Sequence, residues 1–545
     1  MKSTVFISVF ILGLMLLFIN CGNSNITDQG AEEFVPIEGC ENTDPSQCLN
    51  IIKGAFYNLT TGIVSSTGVS MGLLADQYTS TNTYRNYYDF AKEPRVTLTN
   101  RTADDFKFNI EEFYEHFSEA YRTTNLFINH ATSSDSALIK QKRGIAYFIR
   151  GVSQGYLGLI YDKVYLDDFD NDEENELVEY PELIENSLSD LDRAISFFEE
   201  NPGFEHTNLP GNNNSLSSGY LMDIANSFAA RILAGKARTY EEAQNTEWNR
   251  VYSYASKGVG GFDSFTGKKV FSLKNSVREG EFANYYADWS NFIVEGDFQT
   301  GSGFIPTDVK IFHLLDSSYP TIYPKDEVKN DTLTLKEAAS TDSRLEYYKY
   351  TTNKGSLREE RDVNLFSTYF SQRMYSENNW WLRENKIILF TDTETKYLMA
   401  EAQLMLGNNT SAANILNQSP ANNTRTDLGF DLSAVRNQRI PSNGFTGNHS
   451  FDGSESTAEF QLALLREYSV ELEGLGGVGL QWFFMRRHNL LQEGTATMYP
   501  IPESELLKIG IPHYTFGGVA NAGQRGTASG SNSWKNLRAK IAAEN

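Results

Sequence analysis

The sequence predicts a mostly α-helical protein in which amphipathic helices stack in pairs, interrupted once by a large irregular, loop-rich insertion. Three observations lead there. Apolar residues recur at helical spacing in one segment after another on both sides of the middle of the chain. The connections between those segments are short. Residues 260–392 lose the period and become rich in Gly, Ser, Asn and aromatics. Helix pairs joined by short loops are the tetratricopeptide-like pattern. The strict repeat signature is absent, so the expectation is a helix-pair superhelix.

The chain opens with Lys2 and an apolar run, Val5 to Ile19, short for a membrane span and typical of a signal-peptide core. It stops at Asn20-Cys21-Gly22. A cysteine directly after such a core is what a bacterial lipoprotein requires, because its thiol and freed amine carry the acyl chains of a membrane anchor. The expectation is a signal peptide over 1–20 and lipidation at Cys21. The alternative is an ordinary secretory signal with an incidental cysteine, since the residue before a lipidated cysteine is normally smaller than Asn20. Residues 21–48 are polar, contain Pro36 and Pro45, and read as a tether. Cys40 and Cys48 have two options in an exported chain, a disulfide across a short loop or two free thiols. They have no zinc-site spacing.

The body is read as one domain over 49–545, with a helical scaffold over about 49–259 and 393–490 and the insertion between. Asn50–Thr61 is the first expected helix, followed by a stretch to Pro94 dense in aromatics: Tyr78, Tyr84, Tyr87, Tyr88 and Phe90. Phe106–Ala131 is the next. Arg143–Leu166 then has Ile145, Phe148, Ile149, Val152, Tyr156, Leu159 and Ile160 on one stripe, yet contains Gly144, Gly151, Gly155 and Gly158. Each glycine costs a helix interior up to about 1 kcal/mol against Ala. So much glycine in a strongly periodic helix predicts a face where other helices come very close. Further helices are expected at Tyr180–Phe198, Leu221–Ala234, Trp248–Val259, Thr393–Gly407, Ser411–Asn417 and within Leu465–Arg487.

Composition excludes several function classes. A net charge of −23 argues against nucleic acid, whose phosphates need a basic face, and equally against electrostatic adsorption to anionic lipid. The seven histidines form no metal or catalytic motif. Gly68-Val-Ser-Met-Gly72 has the letters of a nucleophile elbow around Ser70, but no buried strand precedes it. Gly474–Gly479 has the letters of a dinucleotide fingerprint, but the segment entering it is helical and charged, so it reads as an inter-helix turn. Asp168, Asp170 and Asp172, with Glu179, place carboxylates as a calcium loop does, while Glu173 stands where the turn needs glycine. That leaves a looser calcium site or a solvated acidic loop. No other cofactor is implied, and no catalytic constellation emerges.

The aromatics of the irregular stretches are the candidate ligand residues. Sugar rings carry apolar faces of C–H groups that flat aromatic surfaces bind, while neighbouring polar groups read the hydroxyls. Tyr286, Asp288, Trp289 and Asn291, then Trp380 and Trp381 beside Asn378 and Asn379, fit that description. Tyr84 and Tyr88 in the early loop fit it too, as do Tyr319 and Tyr323.

Several of these segments resemble the SusD/RagB family of nutrient-binding outer-membrane lipoproteins. The glycine-rich helix YFIRGVSQGYLGLIYDKVYL is similar to the corresponding family helix, although Asp162 and Tyr165 stand where a Gly and a Pro are usual. Asn125 matches a common Asn, and Asp190, Leu191 and Ala194 match an Asp-Leu-x-x-Ala helix. Tyr397, Leu398, Ala400, Glu401 and Ala402 match the Tyr-Leu-x-Ala-Glu-Ala helix, and Leu416 and Asn417 match the Leu-Asn beyond it. Glu467, Glu471, Leu472, Glu473 and Gly474, then Trp482, Phe483 and Arg487, match the C-terminal helix pair, and Tyr499 to Pro502 matches the closing Pro-Ile-Pro segment. Tyr468 replaces a usual Arg, and Phe484 a usual Asp.

The resemblance implies a non-catalytic, lipid-anchored protein on the outer membrane that binds a nutrient, most often a glycan. It would deliver that nutrient to a SusC-like TonB-dependent barrel, and the early aromatic loop and the insertion would form the binding face. The rivals are a peptide-binding member, a helical scaffold with protein partners only, and an esterase through Ser70.

Overall fold

The computed structural model describes residues 45–65, 68–101, 107–131, 137–166, 177–206, 209, 215–274, 305–340, 342–371, 386–417 and 451–544. The scaffold begins with α1 (Pro45–Ile63), α2 (Lys107–Ala131), α3 (Ala137–Ile160), α4 (Tyr180–Glu200), α5 (Ser218–Gly235) and α6 (Trp248–Lys257). After the insertion come α7 (Asp392–Met405), α8 (Asn409–Asn417), α9 (Thr457–Arg466), α10 (Leu480–Arg487) and α11 (Trp534–Glu544). Helix α1 opens at Pro45, inside the stretch expected to be tether.

The glycines of α3 mark close approaches on two sides. A Cβ on Gly144 would lie 2.3 Å from Phe197 Cδ1, and one on Gly158 would lie 2.9 Å from Ile184 Cδ1, both on α4. A Cβ on Gly155 would lie 2.4 Å from Ile232 Cδ1 on α5. The helix stops at Ile160, short of the expected Leu166, and Lys163–Tyr165 continues as a strand paired with Leu177–Glu179. Asp162, two residues past the helix end, donates its N–H to Tyr499 O at 3.1 Å, just before that strand begins.

The same contacts give the helix directions. The end of α3 meets the start of α4, so these two are antiparallel. Ser65, just past α1, bonds Glu112 near the start of α2 at 2.5 Å, and Asn125 near the end of α2 meets Arg150 in the middle of α3 at 2.7 Å. Tyr114 near the start of α2 bonds Tyr165, beyond the end of α3, at 3.0 Å. Gly235 at the end of α5 packs on Leu159 at the end of α3. Helices α1, α3 and α5 therefore run one way, and α2 and α4 the other.

Buried ion pairs tie the stack together, and many of them use residues of the matched motifs. Arg150 Nε and Nη2 donate to Asp190 at 2.6 and 2.7 Å, while its Nη1 donates to Asn125. Arg487 holds Glu401 through two bonds of 2.6 and 2.7 Å. Arg344, from the insertion, pairs with Asp342 at 2.9 Å and with Glu467 at 3.1 Å. Glu467 opens a π-helical turn, Glu467–Glu471, between α9 and α10. The two departures from the family pattern touch one another. The rings of Tyr468 and Phe484 stack at 4.4 Å and 16°, so a neutral aromatic pair occupies positions where the pattern has opposite charges.

The described part of the insertion carries more regular structure than its composition suggests. Val270–Lys274 pairs antiparallel with Lys386–Thr391 across its base. Beside the main core it has an aromatic cluster that includes Phe312, Tyr319, Tyr323, Tyr348 and Tyr369, with Phe312 stacked on Tyr369 at 3.7 Å. Tyr319 and Tyr323 are therefore core residues, and the cluster they join also takes in Val470 and Leu475 of the scaffold. Helix α11, absent from the sequence expectations, is held where Trp534 Nε1 donates to buried Asp76 at 2.7 Å.

Candidate ligand-binding face

Residues 77–83, Gln-Tyr-Thr-Ser-Thr-Asn-Thr, connect the scaffold to the insertion. Asp308 N donates to Gln77 O at 3.2 Å and Thr79 N to Pro306 O at 3.0 Å. Thr79 Oγ1 donates to Leu365 O at 2.8 Å, and Arg358 N to Thr81 Oγ1 at 2.8 Å. The Arg361 guanidinium donates to Thr81 O. On the scaffold side, Gln77 Nε2 donates to Ser469 O at 2.8 Å. Short polar side chains suit such a strip, because backbone groups buried between two bodies need partners.

Beyond this strip the chain turns sharply. Asn82 Oδ1 accepts from Tyr84 N at 2.7 Å and opens a 3₁₀ turn, Tyr84–Asn86. Arg85 and Asn86 have φ of 47° and 58°, left-handed values that disfavour residues with a Cβ. Asn109 Nδ2 on α2 donates to Arg85 O at 2.8 Å and helps to hold the turn. A short helix, Tyr87–Ala91, comes next.

This turn leaves Tyr84 50% exposed, its ring edge-on to buried Tyr87 at 5.9 Å. The Arg85 guanidinium lies 5.6 Å from the Tyr84 ring centroid. Tyr88 is half-buried, with Arg361 at 5.7 Å and Lys92 at 5.6 Å from its ring. Burial raises the Tyr88 phenol, and the Asp362 and Asp89 carboxylates push it the same way. Burial also raises the Asp89 carboxyl, against the pull of Lys92 and Arg361. Two phenol rings, two guanidinium groups and two carboxylates thus share one corner of the surface. Aromatic faces for C–H groups, with charged donors and acceptors for hydroxyls, are what a polyhydroxylated ligand needs.

Of the sequence-predicted site residues, the structure brings Tyr88 against Arg361 of the insertion and leaves Tyr84 exposed on the preceding turn. Tyr286, Asp288, Trp289, Asn291, Trp380 and Trp381 lie outside the described residues, as do Asp168, Asp170, Asp172, Cys21 and Cys40. Cys48 lies on α1, with its side chain outside the described set. Among the described residues no group of three or more His, Cys, Asp or Glu side chains could hold a metal. Arg85, Asp89, Arg361 and Asp362 are not singled out by the sequence. Their only signal is charge inside loop-like stretches, and their meeting depends on contacts across some 270 positions.

Ser70 sits inside a short helix, Val69–Leu74, fully buried, with its Oγ 3.0 Å from the Tyr499 hydroxyl. It is not presented at the tip of a turn as an elbow serine must be. Gly474, Gly476, Gly477 and Gly479 all have φ near 70–85° and turn the chain between two helical segments. No strand enters that loop. A groove of about 760 Å³ lies elsewhere, along α4 between Arg143 and Tyr147 of α3 and Arg250 of α6. Arg250 there is already paired with Asp192 at 3.2 Å and Glu247 at 3.3 Å. No helix among the described residues is long and apolar enough to cross a membrane.

No protein-family model matches the chain, and no curated protein does. Solved structures do. A SusD homolog from Parabacteroides distasonis superposes with a TM-score of 0.57 at 12% identity, covering 84% of this chain and 93% of that one. B. fragilis NanU gives 0.53 at 12% identity, covering 88% and 98%. A SusD superfamily protein from Bacteroides thetaiotaomicron gives 0.52 at 13%, covering 87% and 94%. The chain has the SusD-like fold, a mostly helical, tetratricopeptide-like scaffold carrying an irregular insertion.

Proposed function

We propose that this protein is a divergent SusD-family lipoprotein that captures a nutrient and binds it without making or breaking a bond. The nutrient is an oligo- or polysaccharide, and it passes to a SusC-like TonB-dependent barrel in the outer membrane. Acyl chains on Cys21 hold the protein to that membrane. The observation that carries the reading is the turn around Tyr84: a half-exposed aromatic ring beside Arg85 on a left-handed turn, followed in the chain by Tyr88 with Arg361 over its ring. Keeping a non-glycine pair at positive φ costs about 1–3 kcal/mol per residue, and such strain clusters where ligands are held. The fold likeness supports the class of protein, and the exposure of Tyr84 with the charged groups around Tyr88 supports the face.

Affinity gel electrophoresis of the soluble chain against a polysaccharide panel tests it. Retardation by at least one glycan is expected, lost in Tyr84→Ala and weakened in Tyr88→Ala, with Trp289→Ala and Trp380→Ala probing the remaining candidates. If no glycan retards the protein and an oligopeptide binds it in a titration, the ligand class is wrong and the peptide-binding alternative takes its place.

A further inference from the structure

The turn around Tyr84 gathers cations about its rings. The Arg85 guanidinium lies 5.6 Å from the Tyr84 ring centroid, while Lys92 Nζ and the Arg361 guanidinium lie 5.6 and 5.7 Å from that of Tyr88. Asn82 holds the two rings to one piece of backbone: its Oδ1 accepts from Tyr84 N at 2.7 Å and its main-chain O from Tyr88 N at 2.8 Å. Arg361 is fastened to the same piece, donating to Thr81 O and reaching Thr83 Oγ1 at 3.5 Å. Lys92 and Arg361 are both half-buried.

In the scaffold, such charges are closed by carboxylates. Arg150 holds Asp190, Arg231 holds Glu394 and Arg487 holds Glu401, each at 2.6 Å. Among the described residues Lys92 and Arg361 form no ion pair, although the chain has 70 acidic residues for 47 basic ones. Two carboxylates act on the Tyr88 ring without closing these cations. Asp362 Oδ1 is engaged at the next turn, where it accepts from Asn364 N at 2.9 Å. Asp89 feels the charge of both cations but stays outside ion-pair distance of either.

A cation beside an aromatic ring is oriented by it without spending its N–H donors. The Arg361 Nε–H makes no bond among the described residues, and Lys92 Nζ donates to none of them. Neutral sugar hydroxyls are read as well by uncharged side chains. A sugar carboxylate is what a held but unpaired cation favours. A charge-assisted bond is about twice as strong as a neutral one, and the planar guanidinium can receive both carboxylate oxygens.

We infer that this face takes an acidic glycan: Arg361 receives the carboxylate of a sugar acid, Lys92 adds its charge, and the exposed Tyr84 ring lies against a sugar ring. The inference rests on the proposed glycan reading and narrows it. Isothermal titration of the soluble chain tests it with oligosaccharides of galacturonate, of alginate and of hyaluronan, each beside its carboxyl-reduced neutral form. At least one acid form should bind at least about tenfold more tightly than its reduced form, and the advantage should shrink as salt is added. Arg361→Gln should weaken binding of that acid form at least about tenfold. So should Lys92→Glu, which gives up no hydrogen bond or ion pair within the protein and so reads the charge without disturbing the loop. Equal affinity for acid and reduced forms, or Lys92→Glu binding the acid form as the parent does, overturns the inference. If neutral polysaccharides retard the chain on the gel while no sugar acid binds, the acidic preference fails and the glycan reading stands. If no sugar of either kind binds, both fail.

Discussion

Glu401 offers a quantitative test of how the scaffold is held. Its carboxylate is fully buried on α7, accepts two bonds from Arg487 at 2.6 and 2.7 Å, and lies 2.8 Å from His488 Nε2. Burial alone would raise its pKa, but the Arg487 charge and these hydrogen bonds hold it down to about 2, against 4.5 for a free glutamate. Between those two values the unfolded chain binds a proton that the folded chain does not. The stabilisation is therefore fully present above pH ~5 and is lost as pH falls through the window. The whole shift corresponds to about 3 kcal/mol, of which about 2 kcal/mol disappears between pH 5 and 3. Glu401→Gln leaves Arg487 buried opposite a neutral amide, at a cost of about 3–5 kcal/mol at neutral pH. Urea unfolding at pH 7, 5, 4 and 3, with the m-value checked for constancy, reads both quantities. Other carboxylates titrate alike in both proteins, so the gap between parent and variant should narrow by about 2 kcal/mol from pH 5 to 3. A gap that stays constant means that Glu401 is not the group being protonated, and the reasoning fails.

Three further predictions concern the glycines and the left-handed turn. Gly155→Ala drives a methyl group to within 2.4 Å of Ile232 and 2.8 Å of Ser187 Oγ, and should destabilise by about 1–3 kcal/mol. Gly54→Ala, in the middle of α1 with no atom within 4 Å of the new methyl, should stabilise by about 0.5–1 kcal/mol; urea midpoints that move in the same direction in both would remove the packing explanation for the glycines. Asn86→Gly relieves a φ of 58° and should raise stability by up to about 1 kcal/mol in the same assay. A loss instead would assign the Asn86 side chain an anchoring role in the turn.

The part of the fold legible in the sequence is the part governed by local periodicity. The α3 glycines can be read as close approaches because nothing else offsets their helix cost, and Phe197, Ile184 and Ile232 are indeed there. The end of α3 is not legible, because Tyr161–Leu166 keeps an apolar pattern that suits either a helix or a strand, and a bond to Tyr499 decides between them. The insertion's core is hidden for a related reason: Phe312, Tyr348 and Tyr369 meet through long-range packing and have no shared period. Motif residues proved to be structural. Asp190, Glu401 and Glu467 look like surface carboxylates of amphipathic helices, yet each is spent on a buried arginine. Even the two departures, Tyr468 and Phe484, are a packing substitution within that scaffold. A resemblance assembled from such motifs therefore reports the framework. The candidate face is assembled differently, by bonds between residues 77–83 and residues 306–365, some between backbone groups and others through the Thr81 hydroxyl and the Arg361 guanidinium, with Arg361 over Tyr88. Those bonds join residues far apart in the chain, Arg361 among them, so the place of the corner follows from contacts that no local period records, while the buried ion pairs hold the framework.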